Sequence, residues 1–210
     1  MFGRIRVMVM TATATGALLA ALSSTAHAGL LSLTPGACGQ QESEPFAPWG
    51  DDNTYVPVPG GTFEPGSPSW TLSGGARIVP GNESFNVSGP GSHSLSLPAG
   101  SSATSPAACT GLDHPSARLF VRNTGSSSSR LNVYATYQIL LGLPVTINLG
   151  QLSGSSTWEP SSSLNMGLLD NLVGELTLSE STISFRFVPA DSTGNWQIDD
   201  VYLDPWCRKA

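Results

Sequence analysis

From position 131 to 138 every second residue is apolar. Leu131, Val133, Ala135 and Tyr137 alternate with Asn132, Tyr134, Thr136 and Gln138. A period of two belongs to a half-buried β-strand, so the first set faces a core and the second faces away from it. Val145, Ile147 and Leu149 repeat the pattern after Gly142, Leu143 and Pro144, which makes 130–149 a hairpin. Further strands are expected at 69–72, 76–79, 84–87, 93–97 and 118–122, then around Ile183, Phe185 and Phe187, and at 196–203. The stretch 99–110 reads as a loop. About nine or ten short strands, separated by Gly, Pro, Ser and Asn, imply an all-β antiparallel sandwich or barrel. One short helix over 166–173 fits the placing of Leu168, Leu169 and Leu172 on a common side.

The first 28 residues read as an export signal. Arg4 and Arg6 precede an Ala- and Leu-rich apolar stretch, and Ala26-His27-Ala28 offers a small-x-small cleavage site. Thr11, Thr13 and Thr15 interrupt the stretch, which argues against a membrane anchor. A secreted, extracellular chain is therefore expected, with no membrane attachment once the signal is removed. Residues 29–58 are an irregular lead-in, 59–205 a single β domain, and 206–210 a short tail. Without Arg4 and Arg6, seven basic residues face fifteen acidic ones, and Lys209 is the only lysine. Nucleic acid and anionic surfaces call for clustered Lys and Arg, and no such cluster exists here.

Cys38, Cys109 and Cys207 all lie beyond the cleavage site. In an oxidising compartment two of them pair and one is left over. Cys38–Cys109 is the favoured disulfide, because Cys207 sits in the tail after Pro205. Cys38–Cys207 and Cys109–Cys207 stay open as alternatives.

Two motifs flank the β domain. Near its start stands Gly60-Gly61-Thr62-Phe63-Glu64, followed by Trp70. Near its end stands Gln197-Ile198-Asp199-Asp200-Val201, two adjacent acids inside an apolar strand. With Ser94-Leu95-Ser96-Leu97, these residues make the chain resemble the jelly-roll carbohydrate-binding modules of the galactose-binding-domain-like fold, over about 55–205. The resemblance implies an antiparallel jelly-roll β-sandwich whose first and last strands lie side by side. It also implies a structural calcium with Glu64 and Asp199 as ligands and Asp200 as the alternate, other oxygens coming from backbone and water.

Catalytic patterns are missing from the sequence. There is no Gly-x-Ser-x-Gly elbow, no His-Glu-x-x-His, no Cys-x-x-Cys and no phosphate-binding glycine loop. Of the acids a glycosidase would need, Glu83, Glu159, Glu175 and Glu180 are isolated and read as solvated. The chain is accordingly expected to be no enzyme but a binding module for an extracellular glycan or cell-wall polymer. Sugar recognition uses aromatic rings against the apolar sugar face and fixed polar groups for the hydroxyls. Tyr134 is the leading candidate, outward beside Asn132 and Gln138, with Trp158 as a loop aromatic. Trp70, Tyr137 and Trp196 are assigned to the core. The alternative is a structural or adhesive surface or matrix protein that makes protein contacts.

Overall fold

The structure is a computed structural model and describes residues 42–110, 116–138, 143–166 and 181–204. All of these belong to one unit, Leu31–Ala210. The export signal, Cys38 and Cys207 lie outside the described residues, as does the helix expected over 166–173 apart from Met166, which is buried and in no helix.

In chain order the strands are β1 (Val56–Pro57), β2 (Thr71–Ser73), β3 (Arg77–Pro80), β4 (His93–Pro98), β5 (Ser102–Thr104), β6 (Ala108–Thr110) and β7 (Ser116–Asn123). Then follow β8 (Leu131–Gln138), β9 (Pro144–Leu152), β10 (Glu159–Pro160), β11 (Leu164–Asn165), β12 (Ser181–Pro189) and β13 (Asn195–Leu203). They form two antiparallel sheets. One runs β10-β7-β13-β4-β3, with β1 on β13 and β11 on β7; the other runs β2-β5-β12-β8-β9, with β6 on β12. The expected all-β jelly-roll sandwich is the fold observed.

Period two decides which side chains meet between the sheets. Leu95, Leu97, Val121, Trp196 and Ile198 from the first sheet pack with Val133, Ala135, Ile183, Phe185 and Phe187 from the second. All ten are fully buried. The first and last strands do lie side by side, with Val56 opposite Leu203 and Pro57 opposite Tyr202. The Gly60-Gly61 turn fits against this seam. A Cβ on Gly61 would stand 3.0 Å from the carbonyl oxygens of Val58 and Val201, closer than ordinary packing allows.

Three expectations need correction. Residues 84–87 form a turn rather than a strand, because the Glu83 carboxylate takes the amides of Phe85 and Val87 that a sheet ladder would use. The stretch 99–110 holds β5 and β6, both ordered by pairing with β12. The later part of the lead-in is irregular yet packed. Phe46 and Tyr55 join Phe120, Trp158 and Tyr202 in a second apolar cluster. Phe120 and Tyr202 alternate with core residues, so this cluster lies over the outer side of the first sheet.

Candidate functional site

Among the described residues, the lead-in covers the outer side of the first sheet, and the outer side of the second is left open. Strand register draws a single line across it. Thr71 on β2 pairs with Thr104 on β5, Thr104 with Arg186 on β12, Arg186 with Tyr134 on β8, and Tyr134 with Asn148 on β9. Paired residues share a face, so five side chains line up across about four strand spacings, roughly 19 Å. Arg186, Thr71 and Asn148 are exposed, and Thr104 and Tyr134 half-buried.

Flanking pairs extend the polar surface. Gln151 donates through Nε2 to Asn132 Oδ1 at 2.9 Å, and the hydroxyls of Thr136 and Thr146 stand 2.8 Å apart. Gln138 is exposed at the end of β8. Asn132, Tyr134 and Gln138 thus share the face that alternation assigns to them. Arg186 and Asn148 follow from the same argument, since Arg186 stands between inward Phe185 and Phe187.

Trp158 does not join them. It lies beside the first sheet, is only 9% exposed, and has the Arg122 guanidinium 4.9 Å above its ring. That ring has a packing role and no free face for stacking.

The acids of the two flanking motifs separate. Glu64 Oε1 accepts the backbone N–H groups of Ser92 and His93 at 2.5 and 2.8 Å, and Oε2 accepts the Ser92 hydroxyl at 2.9 Å. His93 Nδ1 lies 3.2 Å from the same Oε2. Burial alone would raise this carboxyl, but these hydrogen bonds outweigh it and hold the pKa at about 2. Glu64 therefore fastens the start of β4 to the Gly60-Gly61 turn. Beside it a cleft of ≈ 430 Å³ is lined by Phe63, Trp70, Leu72, Ile78 and His93.

Asp199 and Asp200 are both buried, at the irregularity where β13 breaks register with β7. Asp200 adopts a left-handed φ of 47°, which shifts the strand by the residue needed to turn Val201 inward. Their neighbour is Glu83, which is itself buried and not solvated as its surroundings in sequence suggest. Asp199 Oδ2 accepts the Glu83 N–H at 3.0 Å, and Asp200 Oδ1 accepts the Ser88 hydroxyl at 2.7 Å. Asp200 Oδ2 is buried without a hydrogen-bond partner. Burial, together with the charge of Asp200, pushes Asp199 up to about 8. Burial also raises Asp200, to about 6, with Glu83 adding to the shift. The set Glu64, Asp199 and Asp200 thus does not converge. Among the described residues, no group of three or more His, Cys, Asp or Glu side chains is disposed to hold a metal ion.

No protein-family model matches the chain, and no curated protein matches it. Solved structures do. A C-terminal family 22 carbohydrate-binding module of Clostridium thermocellum is 18% identical, over 73% of this chain and 96% of that one, at a TM-score of 0.45. A family 22 xylan-binding domain from Paenibacillus barcinonensis is 11% identical over 65% and 85%, at 0.43. A family 11 carbohydrate-binding module of Clostridium thermocellum is 11% identical over 64% and 85%, at 0.36. The likeness is one of fold.

Proposed function

We propose that this protein is an exported, non-catalytic module that binds an extracellular glycan on the outer side of its second sheet. The supporting observation is the continuous polar line from Thr71 to Asn148, with one aromatic ring, Tyr134, beside its central residue Arg186. A sugar ring laid on Tyr134 buries its apolar face, while Asn132, Thr136, Asn148 and Gln151 offer amides and hydroxyls to its edge. Most of these groups are already oriented by one another, which lowers the ordering cost of binding. On this reading the surface holds a polymer and carries out no chemistry on it.

Affinity electrophoresis against a panel of soluble plant and microbial polysaccharides tests the proposal. Tyr134→Ala should weaken binding on the order of tenfold, about 1.4 kcal/mol, while Trp158→Phe leaves it unchanged. Binding by wild type that survives Tyr134→Ala in full would move the site elsewhere. Self-association without any glycan binding would favour the alternative of a structural matrix protein.

Export brings the cysteines into an oxidising compartment, and we propose that Cys38 bridges Cys109. Cys109 lies in β6, paired with Thr182 of β12, and so provides a fixed anchor for the segment that precedes residue 42. Non-reducing peptide mapping of the exported protein should recover Cys38 joined to Cys109. A Cys109–Cys207 or Cys38–Cys207 peptide as the main species would overturn the pairing.

Calcium is the cofactor that the resemblance implies, and we propose that any such ion is held at Asp199 and Asp200 without Glu64. The buried, unpartnered oxygen of Asp200 supports this, since it lacks the positive charge or donor that a carboxylate needs.

A further inference from the structure

Among the described strands of the second sheet, Arg186 is the only charged residue. None of these strands contains Asp or Glu, although the chain has fifteen acidic residues. Arg186 lies on β12, a central strand, where a charge is not needed to protect an open edge from pairing with another chain. Its side chain is exposed and makes no ion pair or hydrogen bond among the described residues. The chain's other positions show how it treats arginine: Arg118 is paired with Asp51, and Arg122 donates to Gln197 and covers Trp158. Among the described arginines, Arg186 alone is presented bare, next to Tyr134 in the middle of the polar line.

A guanidinium held this way matches a carboxylate, which it can grip with two parallel hydrogen bonds. The surroundings narrow the ligand further. One cation on a face of neutral amides and hydroxyls suits a glycan that is itself mostly neutral. A polymer charged at every sugar would bring several carboxylates onto a face with one partner, in a chain of net charge −6, and would be repelled. We infer that the Tyr134 face recognises a neutral polysaccharide bearing widely spaced uronic-acid substituents, with Arg186 taking the uronate carboxylate. The inference rests on the glycan-binding reading and names the ligand class for that site.

The test compares three probes by isothermal titration at low salt: glucuronoxylan, the same polymer with its carboxyls reduced to hydroxymethyl groups, and polygalacturonate. Wild type should prefer native glucuronoxylan over the reduced form about tenfold, and 0.5 M NaCl should erase most of that preference by screening. Arg186→Gln should bind both forms equally, at the affinity wild type shows for the reduced one, and Arg186→Lys should recover only part of the preference. Because Arg186 is exposed, both variants should melt with wild type. Equal binding of native and reduced polymer by wild type would overturn the role of Arg186 and leave glycan binding standing. Tightest binding to polygalacturonate would overturn the sparse-charge class. Failure to bind any of the three, together with an empty polysaccharide panel, would sink the glycan-binding reading itself.

Discussion

Replacing Phe46 with alanine should destabilise the whole domain by about 3–5 kcal/mol, although the residue belongs to no strand. Its ring is fully buried, stacked on Phe120 at 5.3 Å and edge-on to Tyr55 and Tyr202 at 4.9 and 5.8 Å. The Arg118 guanidinium lies 4.4 Å above it and reaches on to Asp51, which also accepts the Tyr55 hydroxyl. Truncation leaves a cavity under that guanidinium and unseats the segment from Ser43 to Tyr55, whose local order depends on two backbone hydrogen bonds between those residues. The seam of β1 and β13 follows directly, so the damage spreads into the sandwich. For a domain of this size the change corresponds to a fall of roughly 10 °C in Tm. Urea unfolding and limited proteolysis measure it, and new cleavage should appear between residues 42 and 55. A loss under about 1 kcal/mol with unaltered proteolysis would mean the cluster is not what fixes the lead-in. Glycan binding measured well below Tm should be retained, because the cluster and the Tyr134 face belong to different sheets.

That cluster is also where sequence reading is weakest. Phe46, Trp49 and Tyr55 follow no period, since they hang from an irregular segment with a single 3₁₀ turn at Ala47–Trp49. Their partners, Phe120 and Tyr202, lie at least 65 residues away in sequence. Periodicity reports only what one element does to its own two faces. It therefore identifies β8, β9 and β12 well, and with them the outward positions of Asn132, Tyr134 and Gln138. It cannot report β5 and β6, which are three residues each and exist because β12 pairs with them. Trp158 illustrates the opposite error. A tryptophan in a Ser- and Gly-rich stretch reads as a loop aromatic, yet Arg122 and the second cluster enclose it. Glu83 has the same lesson for charge. Nothing near it in sequence announces burial, because its carboxylate is satisfied by the amides of its own turn and its N–H by Asp199, more than a hundred residues on.

The buried acids give the second large effect, and its direction is unusual. Asp199 and Asp200 have folded pKa values of about 8 and about 6, both above their ordinary value of 3.8. Between pH 4 and pH 8 the unfolded chain therefore releases protons that the folded chain retains. Stability contributed by the protonated pair is complete near pH 4 and is lost as pH rises through 6 to 8. Each pH unit across that window costs up to about 1.4 kcal/mol for every carboxyl still protonated in the fold. Glu64 opposes the trend only on the acid side, because a pKa of about 2 makes its contribution full above pH 4.5 and lost below. In chelator-treated buffer the Tm should peak near pH 4 and fall by at least about 5 °C by pH 8. Asp200→Asn removes one of the two charges where Oδ2 has no partner, so it should flatten the decline and raise Tm at pH 8 while doing little at pH 4. A calcium ion at the pair would supply the missing positive charge by another route. Millimolar calcium should then raise Tm at pH 8 far more than at pH 5, where protons compete for the same oxygens. A pH-independent Tm in chelator would refute the shared burial of these acids, and a calcium-independent Tm at pH 8 would leave the proton as their only partner.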